Sequence, residues 1–193
     1  MFKIGVLVSG SGSNLQSILD NINDGKLKCV VDIVIADRSC YGLERAKSQG
    51  IKATLLDRKI YEENLFKEID NIFSFRNVNL IVLAGFLSIL DENFVNKWNK
   101  KIINIHPSLL PRFGGKGMYG IKVHEAIIAV GDEVSGCTVH YVDATIDTGE
   151  TILQSKVKVS PEDTPETLQQ KVLIEEHRLL PLAISKIIES KNK

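Results

Sequence analysis

The stretch Phe2-Lys3-Ile4-Gly5-Val6-Leu7-Val8-Ser9-Gly10-Ser11-Gly12-Ser13-Asn14-Leu15 decides the fold. Residues 2–8 form a short, nearly unbroken apolar run, the pattern of a strand buried on both faces. From Asn14 to Asp24, Leu15, Ile18, Leu19 and Ile22 recur at spacings of three and four, a helical stripe. The glycines between them make a tight turn, and Ser13 and Asn14 are good N-cap types. Such a helix start presents free N–H groups and a positive dipole end. It reads as a phosphate cradle at the carboxyl edge of a sheet. A tight βα turn with an N-cap and no ligand is the alternative. The loop is not a dinucleotide fingerprint. The third glycine of G-x-G-x-x-G would fall on Leu15, and the P-loop lysine is absent, which disfavours nicotinamide cofactors and ATP.

The same alternation continues along the chain. Strand candidates are 30–36, 53–56, 80–84 and 102–105. Helices are expected at 43–49, stopped by Gly50, at 61–75 with Leu65, Ile69, Ile72 and Phe73 on one side, and at 91–98 with Asp91 as N-cap. Alternating strands and helices signal a parallel sheet covered on both faces. After Pro107 the pattern changes to a long glycine-rich loop ending at Gly120, a helix at 123–130, and two strands, 136–142 and 151–159. The short turn Asp143 to Gly149 makes these an antiparallel pair. A long helix, 165–188, bent at Pro181, ends the pattern. The fold class is α/β, a Rossmann-like, mostly parallel sheet with helices on both faces and an antiparallel strand pair near the C-terminus. Residues 1–193 read as one domain.

Lys and Arg number 24, as do Asp and Glu, so the net charge is zero. Neutrality gives no field favouring nucleic acid or an anionic membrane. A hydrophobic fraction of 44% is too high for a disordered tail. Cys29, Cys40 and Cys137 form no C-x-x-C pair and read as reduced thiols. The first apolar run is too short for a signal peptide core or a membrane span, so a cytoplasmic location is expected.

Asn104-Ile-His-Pro-Ser-Leu-Leu-Pro111 leaves the fifth strand. Residues two apart on an extended segment share a side, which puts the Asn104 amide beside the His106 imidazole. An amide donor beside an imidazolium suits the oxyanion of acyl transfer, and His106 can also pass a proton. No Ser or Cys sits in a nucleophile elbow, so an acyl group would move directly between substrates. A turn-capping Asn104 and a satisfied buried His106 are the alternative. Asp147, in the last turn, would favour protonated His106 if it lay near; turn aspartates are usually just turn formers. His124, His140 and His177 get structural readings, and no spacing argues for a metal.

Four segments together resemble one family, the folate-dependent phosphoribosylglycinamide formyltransferases of purine synthesis. They are Val8-Ser-Gly-Ser-Gly-Ser-Asn-Leu-Gln16, Leu83-Ala-Gly-Phe-Leu-Ser-Ile-Leu90, Asn104 to Pro111, and Gly136-Cys-Thr-Val-His-Tyr-Val142 with Asp147-Thr-Gly149. The resemblance runs from Met1 to about Ser185. It implies that Gly12, Ser13 and Asn14 bind the ribonucleotide phosphate. It implies a folate site of Leu87, Ser88, Ile89, Leu90 and Asn104 with Asp143, Ala144, Thr145, Ile146 and Asp147. Asn104, His106 and Asp147 resemble the catalytic trio. Leu173, Ile174, Glu175 and Glu176 match the stretch that contacts glycinamide, with Glu176 foremost. The implied co-substrate is 10-formyltetrahydrofolate, with glycinamide ribonucleotide as acceptor, no metal, no nucleic acid, no membrane, and a monomer or homodimer. Residues 1–100 would be the phosphate-binding half and 101–193 the catalytic and folate-binding half.

Three features depart from the family pattern. Ser88 stands where many members carry Arg, the loop 113–120 is longer, and 57–66 differs, leaving Arg58 as the candidate for the folate glutamate tail. The alternatives are a formyltetrahydrofolate deformylase-like hydrolase, a tRNA-modifying relative, and a non-catalytic folate- or phosphate-binding module. A strand starting at residue 2 and an end at 193 leave no room for the extra domain of the first two.

Overall fold

The structure is a computed structural model and describes residues 1–191. Strands β1 (Lys3–Val8), β2 (Val30–Ala36), β3 (Ala53–Leu55), β4 (Leu80–Leu83) and β5 (Ile102–His106) are separated by helices α1 (Ser13–Asn23), α2 (Tyr41–Ser48), α3 (Arg58–Tyr61), α4 (Leu65–Phe75) and α5 (Glu92–Lys97). Helix α6 (Ile121–Val130), strands β6 (Val134–Tyr141) and β7 (Thr151–Lys158), and helix α7 (Pro165–Lys191) follow. All seven strands form one sheet in the order β3-β2-β1-β4-β5-β6-β7. The first five run parallel. β6 and β7 run antiparallel, as the short turn between them requires.

Strand β1 shows why the sheet is covered on both faces. Ile4, Val6 and Val8 face one core, which α1, α2, α6 and α7 close with Leu15, Ile18, Leu43, Ile127 and Leu180. Leu7 faces the other core, which α4, α5 and the residue after α5 close with Leu65, Ile69, Phe73, Phe94 and Trp98. The spacing of four between Leu65, Ile69 and Phe73 puts all three on the buried stripe of α4.

The chain runs outward from β1 to β3, then crosses back to lay β4 on the other side of β1. That reversal opens a crevice at the carboxyl ends of β1 and β4, where open α/β sheets bind ligands.

Two helix expectations need correction. The helix expected at 61–75 is split. Asp57 caps α3, its Oδ1 accepting from the Lys59 N–H at 2.9 Å. Glu62 (φ 43°, ψ −118°) then turns the chain out of helical geometry, and α4 starts afresh at Leu65. The second concerns α1. Neither Ser13 nor Asn14 caps it; Gly12, in left-handed geometry, holds that position with no side-chain bond. Asp91 does cap α5, its Oδ1 accepting from Phe94 N–H at 2.7 Å. Helix α7 continues through the buried Pro181.

Cys29, Cys40 and Cys137 are all free. Burial pushes the Cys29 and Cys137 thiols up to about 12, so both stay protonated and unreactive. Among the described residues no helix is long and apolar enough to cross a membrane.

Candidate active site

A cleft of about 560 Å³ opens at the carboxyl ends of β1, β4 and β5. The loop after β1 supplies Gly10 to Asn14, and the segment after β4 supplies Gly85 to Leu90. The end of β5 supplies Asn104 to Pro107, and the turn after β6 supplies Asp143 to Asp147. Helix α7 closes one end with Gln169, Leu173 and Glu176.

At that end the backbone does the work. Gly12 has φ +72°, and a Cβ there would come within 2.6 Å of the Gly42 Cα. Only glycine fits, so the loop can lie flat against α2. By helix geometry the first N–H groups of α1 have no intrahelical partner. Asn14, buried at the first turn, donates its amide to Glu176 Oε2 at 2.7 Å, while its own Oδ1 is buried without a partner. Burial pushes the Glu176 carboxyl up to about 7, against the pull of the Asn14 amide.

In the cleft, β5, β6 and the turn after β6 bring four polar side chains together. The antiparallel register pairs Asn104 with His140, and Asn104 Nδ2 lies 3.2 Å from His140 Nε2. His140 Nδ1 lies 2.8 Å from its neighbour's carbonyl, Tyr141 O. Burial lowers the affinity of His140 for a second proton. The neutral tautomer that satisfies both contacts has Nδ1–H donating to Tyr141 and Nε2 accepting from Asn104. Asn104 therefore keeps one amide hydrogen for a ligand.

His106 shares the face of Asn104, as the two-residue spacing requires. Its Nδ1 is 3.5 Å from Asp147 Oδ2, a distance for an ion pair rather than a hydrogen bond. Its Nε2 lies 2.8 Å from Phe113 O and donates to it. Asp147 sits between both imidazoles, with Oδ1 3.7 Å from His140 Nε2. Its Oδ2 also accepts from Gly115 N–H at 2.9 Å. Asp147 has φ +59°, a conformation tolerated best by Asn and Asp among residues with a side chain. Gly149 follows two residues on because a Cβ there would overlap the Tyr141 carbonyl.

A glycine loop, an N-x-H strand end and a D-x-G turn meeting in one cleft invite comparison with known proteins. The family model described as formyl transferase matches residues 2–184. The chain is 40% identical over 195 residues to the chloroplastic phosphoribosylglycinamide formyltransferase of Arabidopsis thaliana, covering 99% of this chain and 67% of that protein. The crystal structure of glycinamide ribonucleotide transformylase 1 from Symbiobacterium toebii superposes with a TM-score of 0.92 at 39% identity, over 98% of this chain and 89% of that one. The chain belongs to the phosphoribosylglycinamide formyltransferase family. It also matches the trifunctional purine biosynthetic protein adenosine-3 of Homo sapiens at 38% identity, over 94% of this chain but 18% of that protein.

The cleft takes in Gly12, Ser13, Asn14, Leu87 to Leu90, Asn104, His106, Asp143 to Asp147, Leu173 and Glu176. Ile174 and Glu175 lie elsewhere. Ile174 is 68% exposed, and Glu175 accepts from Ser155 Oγ and Arg178. The reason is helical phase. Positions 173 and 176 share a face of α7, whereas 174 and 175 point to other sides. Arg58 is not among the cleft residues; its N–H donates to Asp37 O at the start of α3.

Ser88 lines the cleft and donates to Asp37 Oδ2 at 2.6 Å. That carboxylate also takes the Arg38 guanidinium through two bonds of 3.0 and 2.8 Å. Desolvation opposes these partners, which together hold Asp37 below the usual carboxylate range. The loop 113–120, singled out in the sequence, does line the cleft through Gly115 to Gly120, whereas sequence reading missed His140, His124 and Gln169. The cross-strand pairing of 104 with 140 was the available signal for the first of these. Lys116 is the one Lys or Arg lining this formyltransferase's cleft among the described residues, beside Asp143, Asp147 and Glu176.

Proposed function

We propose that this single-domain formyltransferase moves the formyl group of 10-formyltetrahydrofolate to the amine of glycinamide ribonucleotide, in de novo purine synthesis. One observation carries the reading. A single cleft is lined by the N-terminus of α1, by the exposed apolar Leu87 and Ile89, and by Asn104, His106 and Asp147. The phosphate belongs on the glycine loop. The flat pteridine belongs between residues 87–90 and 143–147. The glycinamide then lies toward Leu173 and Glu176. With both substrates in one cleft the attack is effectively intramolecular.

The amine nitrogen adds to the formyl carbon and the carbonyl oxygen becomes an oxyanion. The free amide hydrogen of Asn104 is the first donor to it. The second is His106 Nε2–H, which must leave the Phe113 carbonyl to reach it. Asp147 holds the other ring nitrogen and stabilises the imidazolium. Collapse breaks the bond from the formyl carbon to the folate N10. The proton lost by the amine is delivered to N10 through the His106–Asp147 pair.

The test is a formyl-transfer assay with both substrates, run beside His106→Ala and Asp147→Asn. Each variant should lose roughly two to three orders of magnitude in kcat. Background turnover by the natural chain would overturn the reaction, and a fully active Asp147→Asn would overturn the role of the pair.

A further inference from the structure

The geometry points to Arg45 on α2 as the positioning residue of the phosphate site, orienting the glycine loop without touching the substrate. This rests on reading Gly10 to Asn14 as the phosphate cradle. A phosphate is attracted by N–H groups and repelled by carbonyl oxygens, so the loop works only if its carbonyls turn away. Both do. Gly10 O accepts from the Gly42 N–H at 3.0 Å. Ser11 O accepts from Arg45 Nε at 2.8 Å.

A trans peptide is planar, with its C=O and N–H on opposite edges. Pinning Gly10 C=O to α2 therefore aims the Ser11 N–H the other way, toward the cleft that Ser11 lines. Pinning Ser11 C=O does the same for the Gly12 N–H. The Arg45 guanidinium is itself held on three sides. Nη1 donates to Gln16 Oε1 at 3.1 Å, and the group stacks 4.9 Å from the Tyr41 ring centroid. The Arg45 Cδ also lies 3.3 Å from where a Gly12 Cβ would be. Its rigid planar fork holds two acceptors in one fixed geometry, which the flexible point charge of a lysine does not. The buried, unpartnered Oδ1 of Asn14 is an acceptor, so it suits a hydroxyl or N–H of the substrate beside the phosphate rather than the phosphate itself.

The experiment compares glycinamide ribonucleotide with its dephosphorylated nucleoside in the full chain. The ratio of their kcat/KM values measures how much the phosphate contributes. In Arg45→Met that ratio should fall about tenfold to a hundredfold, the range for one charge-assisted hydrogen bond. KM for the ribonucleotide should rise, with kcat and the folate KM within about twofold, a split that general loosening of the fold would not give. Arg45→Lys, which keeps the charge and can donate but lacks the fixed fork, should recover part of the ratio. Urea unfolding of each variant verifies that the fold is retained. A ratio in Arg45→Met equal to that of the natural chain overturns the role of Arg45, as does a lysine variant as poor as methionine. A natural chain with no preference for the phosphorylated substrate overturns the phosphate reading itself.

Discussion

Asn104 on β5 lies directly across from His140 on β6, with its amide nitrogen 3.2 Å from the imidazole Nε2. The neutral imidazole accepts one amide hydrogen and so decides which way the amide faces. Replacing His140 by Ala frees the amide to rotate and should lower kcat about tenfold to a hundredfold, less than loss of Asn104 itself. Steady-state kinetics on His140→Ala and Asn104→Ala, singly and together, check this. The double variant should be little worse than Asn104→Ala, because the two act as one unit. Additive losses would show that His140 acts independently.

Gly12 touches α2 where a side chain has no room, and its φ of +72° strains any other residue. Gly12→Val should raise the ribonucleotide KM at least about tenfold while leaving folate affinity nearly intact. Separate titrations of the two substrates decide. Equal loss of both would mean that the loop is only structural.

Glu176 gives a pH test with a definite sign. Its carboxyl rises from an ordinary value of 4.5 to about 7 in the folded chain. The folded state therefore binds the proton more tightly than the unfolded one. Its stabilising contribution is complete below pH 4.5 and is lost as pH rises through 7. Glu176→Gln keeps an acceptor for Asn14 and removes the titration. The variant should gain on the natural chain by about 3 kcal/mol between pH 4.5 and 8. Urea unfolding at both pH values measures it, and a pH-independent difference would show that Glu176 titrates normally.

Phe73 tests the packing behind the cleft. It is fully buried, its ring meets Trp98 edge-on at 6.1 Å and 79°, and it fills the space that the missing side chain of Gly5 leaves. Phe73→Ala should cost about 3–5 kcal/mol of stability. The denaturation midpoint should fall with the slope unchanged.

Local, contiguous features were legible in the sequence. The β1–loop–α1 unit needs no distant contact, and the 104/106 pair follows from strand alternation alone. What depended on register or packing was not. His140 reads as an ordinary strand histidine until β6 is laid against β5 with 104 opposite 140. The break at Glu62 sits inside an apolar pattern that continues across it, and only the backbone angles reveal it. Leu173 to Glu176 came forward as a block, yet rotation of 100° per residue admits only the first and last to the cleft. Ser13 and Asn14 have the chemistry of caps, but the close approach of α2 hands that position to Gly12.

The Asn14–Glu176 bond joins residues 162 positions apart. The glycine loop is therefore made long before its partner. The β1–α1 unit can fold early during synthesis, yet its end of the cleft has no far wall until α7 emerges and docks. On the proposed reading the ribonucleotide pocket is complete only once α7 has docked, and a chain cut before α7 would carry the loop without the pocket. Its substrate, in turn, would stabilise the closed chain and not its incomplete precursors.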